Sequence, residues 1–160
     1  VDGNKCQYNR QLFILVFMKN FGSVFEYEQE RNNNLLRLYH QLISEVRFIC
    51  SEEIYRKMSN SPSDRFWVSE ERALIVVLQI MKGDTLLGMG KNKRDMFFEI
   101  YRRAMAMKER CPNLSLTKIV FRVVRQPAPK FYLTEGSIKV IISKIKSKWY
   151  ERRRARNKVG

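Results

Sequence analysis

Histidine occurs once in this 160-residue chain, at His40, and cysteine three times, at Cys6, Cys50 and Cys111. Zinc sites draw several such ligands from short paired spacings, and these scattered residues offer neither that pattern nor a disulfide framework. An odd number of widely spaced thiols fits a reducing compartment, where cysteine serves as a small apolar side chain. Proline and glycine are sparse, at four and seven, so regular structure is seldom interrupted. Long apolar runs are missing too. The longest candidate, Leu12 to Met18, is far shorter than the roughly 20 residues that span a bilayer. It also lacks the basic start and small-residue cleavage site of a signal peptide. General acid–base work would fall to Glu45, Glu99 or His40, none with a partner at a telling spacing. The expectation is a non-enzymatic cytoplasmic protein with no metal, cofactor, small-molecule substrate or membrane partner.

What the chain has in excess is positive charge, and it is placed on one side. The formal net charge is +15. Residues 1–90 hold eleven Lys/Arg and eleven Asp/Glu, whereas residues 91–160 hold twenty and five, so the second half carries the whole excess, 20 − 5 = +15. Such asymmetry points to a polyanionic partner for that half.

The chain also writes one segment twice. "PSDRFWVSEERALIVVLQI" (Pro62 to Ile80) and "PAPKFYLTEGSIKVIISKI" (Pro127 to Ile145) align without a gap at an offset of 65 residues. Pro62 matches Pro127, Phe66 matches Phe131, Trp67 matches Tyr132, Glu70 matches Glu135 and Ile80 matches Ile145. Repeats of this kind are an architectural signal. Proline excludes helix and extends the residue before it, so each copy opens as a connector. Ser69 and Thr134 read as N-caps, with Val68/Ala73 and Leu133/Ile138 as hydrophobic staples.

Upstream of the first copy, Leu35, Leu38, Tyr39, Leu42 and Val46 recur at helical spacing, and Ser51 reads as the cap of a short helix. Upstream of the second, "KRDMFFEIYRRAMAMKER" and "LSLTKIVFRVV" repeat the theme. The expected fold is all-α: two tandem, helix-turn-helix-like three-helix units over residues 18–83 and 94–150. Residues 84–93 join them as a linker and residues 151–160 form a basic tail. The glycines of "KGDTLLGMGKNK" do not make a phosphate loop, because the Gly-Lys-Ser/Thr ending is absent. Met18-Lys19-Asn20 resembles a bacterial start, so residues 1–17 read as an extension foreign to the fold or as an ordinary N-terminal element.

The two third helices differ. "RALIVVLQIM" is apolar nearly all round and reads as the buried junction between units, while its counterpart carries one apolar stripe, Ile138–Ile141–Ile142–Ile145–Trp149. The rest of that helix is basic. A three-helix unit with an exposed cationic last helix suits a DNA groove. The candidate nucleic-acid-binding residues are Arg122, Arg125, Lys130, Lys139, Lys144, Lys146, Lys148, Arg152, Arg153, Arg154, Arg156 and Lys158. Duplex DNA is favoured, since no RNA-module signature is present. An arginine-rich RNA contact from Arg152 to Lys158 is the alternative. A scaffold for an acidic protein is another, and it would expose an apolar patch around Phe97, Phe98 and Tyr101.

The stretches "RDMFFEIYRRAM", "RQPAPKFYLT" and "KSKWYERRR" resemble a set of small basic bacterial proteins built around a "PAPRFY" connector and associated with mobile elements or prophages. The resemblance covers most of residues 20–155. It implies a bacterial cytoplasmic setting and carries over no activity and no site residue.

Overall fold

The structure, a computed structural model, describes residues 23–48 and 50–157, with side chains over residues 27–48 and 50–152. The expectations placed on residues 1–17 and on Lys158 lie outside the described residues. Those described form six α-helices and no strand: α1 (Ser23–Glu45), α2 (Ser51–Asn60), α3 (Glu70–Met81), α4 (Lys91–Arg110), α5 (Leu116–Val124) and α6 (Glu135–Asn157).

Local chemistry accounts for most helix ends. The Ser69 side chain accepts from the Arg72 N–H at 3.2 Å, and Thr134 Oγ1 accepts from the Ser137 N–H at 3.1 Å. Ser115 caps α5 in the same way through the Lys118 N–H. Each cap satisfies one of the orphan donors of a first turn, worth about 1 kcal/mol. Ser51 differs from expectation. It is the first helical residue, and Cys50 takes the cap position without a side-chain hydrogen bond.

Two cores form, one from the consecutive helices α3, α4 and α5 and the other from α1, α2 and α6. The first gathers Phe66, Val76, Val77 and Ile80 around α3 with Ile100 of α4 and Val120 and Val124 of α5. The second gathers Leu35 and Tyr39 of α1, Ile54, Tyr55 and Met58 of α2, and Ile138 and Ile142 of α6. So α3 packs on α4 and α5, while α6 packs on α1 and α2. The expected units 18–83 and 94–150 therefore do not each hold a core of their own: α3 packs with helices of the second and α6 with helices of the first.

The two proline connectors carry the chain from one core to the other. Residues 61–69 lead from the second core to α3, and residues 125–134 lead from the first core to α6. They cross at Ser63 and Ala128, which trade both backbone hydrogen bonds at 3.0 Å. The Phe66 N–H adds a third bond, to the Val124 carbonyl at 3.1 Å. The two adjacent aromatics of each connector enter different cores. Phe66 enters the first core and Trp67 packs on the second; Phe131 enters the second and Tyr132 the first. Each connector thus pins both cores. Tyr132 adopts a left-handed φ of 56°, which costs a side-chain-bearing residue roughly 1–2 kcal/mol; burial of its ring beside Phe66 offsets that cost.

Phe66 and Phe131 are 0% and 3% exposed. Replacing either by Ala is expected to cost about 3–5 kcal/mol, read as a lower urea midpoint. A loss below ~1 kcal/mol for either would contradict its place as a core anchor.

Between the halves, α4 already begins at Lys91, so the linker narrows to residues 82–90. The basic tail narrows likewise, since α6 stays helical through Asn157.

Candidate nucleic-acid interface

The basic helix owes its length to a missing stop. At the end of α3 the Gly83 N–H bonds the Ile80 carbonyl at 2.9 Å, and the Asp84 N–H bonds Gln79 at 3.1 Å. This is a Schellman closure, and it needs the left-handed φ of 93° that Gly83 adopts. Sixty-five residues on, the position of Gly83 is held by Lys148. A lysine disfavours that turn, and α6 continues to Asn157. The helix is about 34 Å long at 1.5 Å per residue. Ile145 is its last residue in the second core, so roughly three turns run on beyond that core.

Lys139, Lys144, Lys148 and Arg152 are exposed on α6. Among the described residues no carboxylate lies within ion-pair distance of any of the four. Lys144, Lys148 and Arg152 follow one another at i, i+4 and so line one ridge. The side chains of Arg153, Arg154 and Arg156 are outside those described, while their backbone continues the helix.

The remaining candidates are placed differently. Lys146 is half-buried against α1, where its ammonium donates to the Tyr39 hydroxyl and sits 4.1 Å from the ring centre. That is a packing role, and it sets Lys146 apart from Lys139, although both fall on one side of the helix. Lys130 lies 3.9 Å from Asp95 and over the Tyr132 ring. Arg122 is exposed on α5, a helix of the other core. Arg125 is also largely exposed, but its Nε donates to Glu70 Oε1 at 3.1 Å.

Glu70 marks a polar junction that the sequence reading missed. It is buried at the start of α3 and accepts from the Tyr27 hydroxyl of α1 at 2.7 Å, from Arg125, and faces Arg65 at 3.6 Å. The Arg65 guanidinium lies 4.5 Å from the centre of the Tyr27 ring. Tyr27 and Arg125 are 43 and 55 positions from Glu70 in the chain, so no local pattern could reveal them. The matching Glu135 is exposed, which removes the repeat as a guide. Burial alone would raise the Glu70 carboxyl. The Tyr27 hydroxyl, the helix-end backbone N–H and the two arginines outweigh it and hold the group below its ordinary value. Burial, and then Glu70 itself, push the Tyr27 hydroxyl up.

A stability prediction follows from the sign of that shift. A carboxylate with a depressed folded pKa adds stability above its unfolded value, near 4.5, and loses it as pH falls through the folded value. Glu70→Gln should cost about 1–3 kcal/mol at pH 7, chiefly by stranding the partly buried Arg65; the exposed Arg125 adds little because water screens it. Urea unfolding at neutral pH and near pH 3 checks this. The variant should lose less stability on acidification than the parent, and an equal loss in both would contradict the assignment.

Exposed aromatics complete the surface. Trp149 and Tyr150 on α6 are 50% and 55% exposed and meet edge-on, with ring centres 5.0 Å apart. The patch expected around Phe97, Phe98 and Tyr101 is less open. Phe97 is buried, Tyr101 packs against the first core, and Phe98 is 38% exposed. A cleft of about 470 Å³ opens at the start of α6, lined by Asn60, Asn92, Lys130 and Thr134 among others. Ser59 is on its wall, but that hydroxyl already donates to the Arg56 carbonyl. Among the described residues no helix is long and apolar enough to cross a membrane.

Comparison of the chain with protein-family models, with curated proteins and with solved structures finds no match in any of the three.

Proposed function

We propose that the chain is a non-enzymatic nucleic-acid-binding protein that contacts duplex DNA through the outer face of α6 and the arginines that follow. One observation carries this reading. Lys144, Lys148 and Arg152 stand in a single i, i+4 row on a helix that outruns its core, and among the described residues none of them forms an ion pair. Like charges so spaced weaken an isolated helix by a few tenths of a kcal/mol per pair, a cost that a polyanion reverses. From Glu135 to Asn157 the helix sequence holds eight Lys/Arg against two Glu, which suits a ligand of dense, regular negative charge.

The architecture supports the same reading from another side. We infer that the chain is a duplicated three-helix unit whose third helices have exchanged places. Helices α2 and α5, and α3 and α6, begin 65 residues apart, and so do the paired residues Ser63 and Ala128. A residue that pairs with its own counterpart lies on a local two-fold axis. The two exchanged helices are then free to diverge: α3 ends at Met81, closed by the turn at Gly83, and α6 continues as a basic arm.

A gel-shift comparison of duplex DNA, single-stranded DNA and RNA at two salt concentrations tests the proposal. Binding to duplex that weakens steeply with salt is expected. Tight binding to RNA alone would move the function to the arginine-rich alternative.

A further inference from the structure

The polar junction around Glu70 has a counterpart, and the counterpart is hollow. At the offset of 65 residues Tyr27 corresponds to Asn92, Arg65 to Lys130, Glu70 to Glu135 and Arg125 to Asn60. All four counterparts line the cleft of about 470 Å³ at the start of α6. Where the first copy holds a phenol ring and a guanidinium, the second holds two asparagines, and their smaller side chains leave the space open. Its size falls within the ~300–1,000 Å³ of ordinary ligand pockets. The filled copy shows what the hollow one can hold. The Tyr27 hydroxyl donates to Glu70 at 2.7 Å, and the Tyr27 ring centre lies 4.5 Å from the Arg65 guanidinium. On its other side that guanidinium stands 6.0 Å from the Trp67 ring. Lys130 repeats half of this arrangement. Its ammonium lies 5.1 Å from the centre of the Tyr132 ring, the counterpart of Trp67, with Asp95 3.9 Å away. Among the described residues no second ring meets it. Glu135 is exposed and, among the described residues, in no ion pair.

We infer that the cleft at the start of α6 binds a small phenol, in the place that Tyr27 takes at the start of α3. The ring lies against the Lys130 ammonium, a cation–π contact, and the hydroxyl donates to the Glu135 carboxylate. Asn92 and Asn60 border it. The site is one of binding, with no reaction implied. It rests on the inferred duplication and is independent of the nucleic-acid reading. The charges select this occupant. An anion would meet Lys130 but be repelled by Glu135, and a ring without a donor would leave that carboxylate unmatched.

The test titrates the full, isotope-labelled chain with phenol and with anisole, whose ring lacks the donor hydroxyl. The side-chain amide of Asn92 and the backbone amides of Thr134 and Gly136 are followed by NMR. Phenol should shift them saturably with a Kd of about 1 mM, a reasonable value for so small a ligand. Anisole should bind about tenfold more weakly, the worth of one hydrogen bond to a charged acceptor. Glu135→Ala, at an exposed position, should bring phenol down to the level of anisole. Asn92→Tyr, which supplies the ring from within, should abolish phenol binding and raise the urea midpoint. No saturable shift at the cleft by ~20 mM phenol, well above the expected Kd, would overturn the inference. So would equal binding of phenol and anisole, or phenol binding that survives both substitutions unchanged.

Discussion

Produced separately, the fragments 18–83 and 84–160 are expected to lack cooperative unfolding, and an equimolar mixture is expected to regain it. The reason is that α3 packs on α4 and α5, while α6 packs on α1 and α2. Without the second half, Phe66, Val76, Val77 and Ile80 lose the α4 and α5 side chains that bury them, and Leu35, Ile54 and Met58 lose Ile138 and Ile142. Each fully buried side chain of this type is worth about 1.5–3 kcal/mol. Several together match the whole ~5–15 kcal/mol stability of an ordinary domain. Helix content and urea unfolding of each fragment, alone and mixed, decide the matter. A fragment that unfolds cooperatively by itself would mean that its three helices form a core of their own.

Replacing Lys139, Lys144, Lys148 and Arg152 together by Ala should leave the urea midpoint almost unchanged and cripple DNA binding. All four side chains are exposed, without a carboxylate at ion-pair distance among the described residues, so little folding energy is lost with them. Each phosphate contact contributes about 0.9 to the slope of log K against log salt on duplex DNA. Removing four should flatten that slope by roughly 3–4 and weaken all sequences alike. An unchanged slope would place the binding surface elsewhere, for instance on Arg122 and Lys130.

Much of this organisation is written in the letters. The helix starts after Ser69 and Thr134, the burial of Phe66 and Phe131 and the apolar stripe of α6 all follow from caps, prolines and spacing. The choice of partners for α3 and α6 does not. The stripes of α3 and α6 fit either pair of helices, and what selects the partner is where a nine-residue connector delivers the helix (Ser61 to Ser69), a matter of backbone path. The clue lay in the doublets Phe66-Trp67 and Phe131-Tyr132, adjacent large aromatics in each connector that enter two different cores. Glu70 and Glu135 teach a related lesson, since equal positions in the repeat end in unlike surroundings. Lys146 shows the limit of helical-wheel reasoning, because its angular position suits solvent or α1 equally and Tyr39 settles it.

The most direct measurement of the central claim is a salt titration of duplex binding by the wild-type protein, followed by anisotropy of a labelled DNA. About six phosphate contacts along α6 and the following arginines would give a slope near −5 in log K against log salt. No detectable binding to DNA or RNA at ~50 mM salt, where phosphate contacts are strong, would contradict the account and turn attention to an acidic protein partner for the same face.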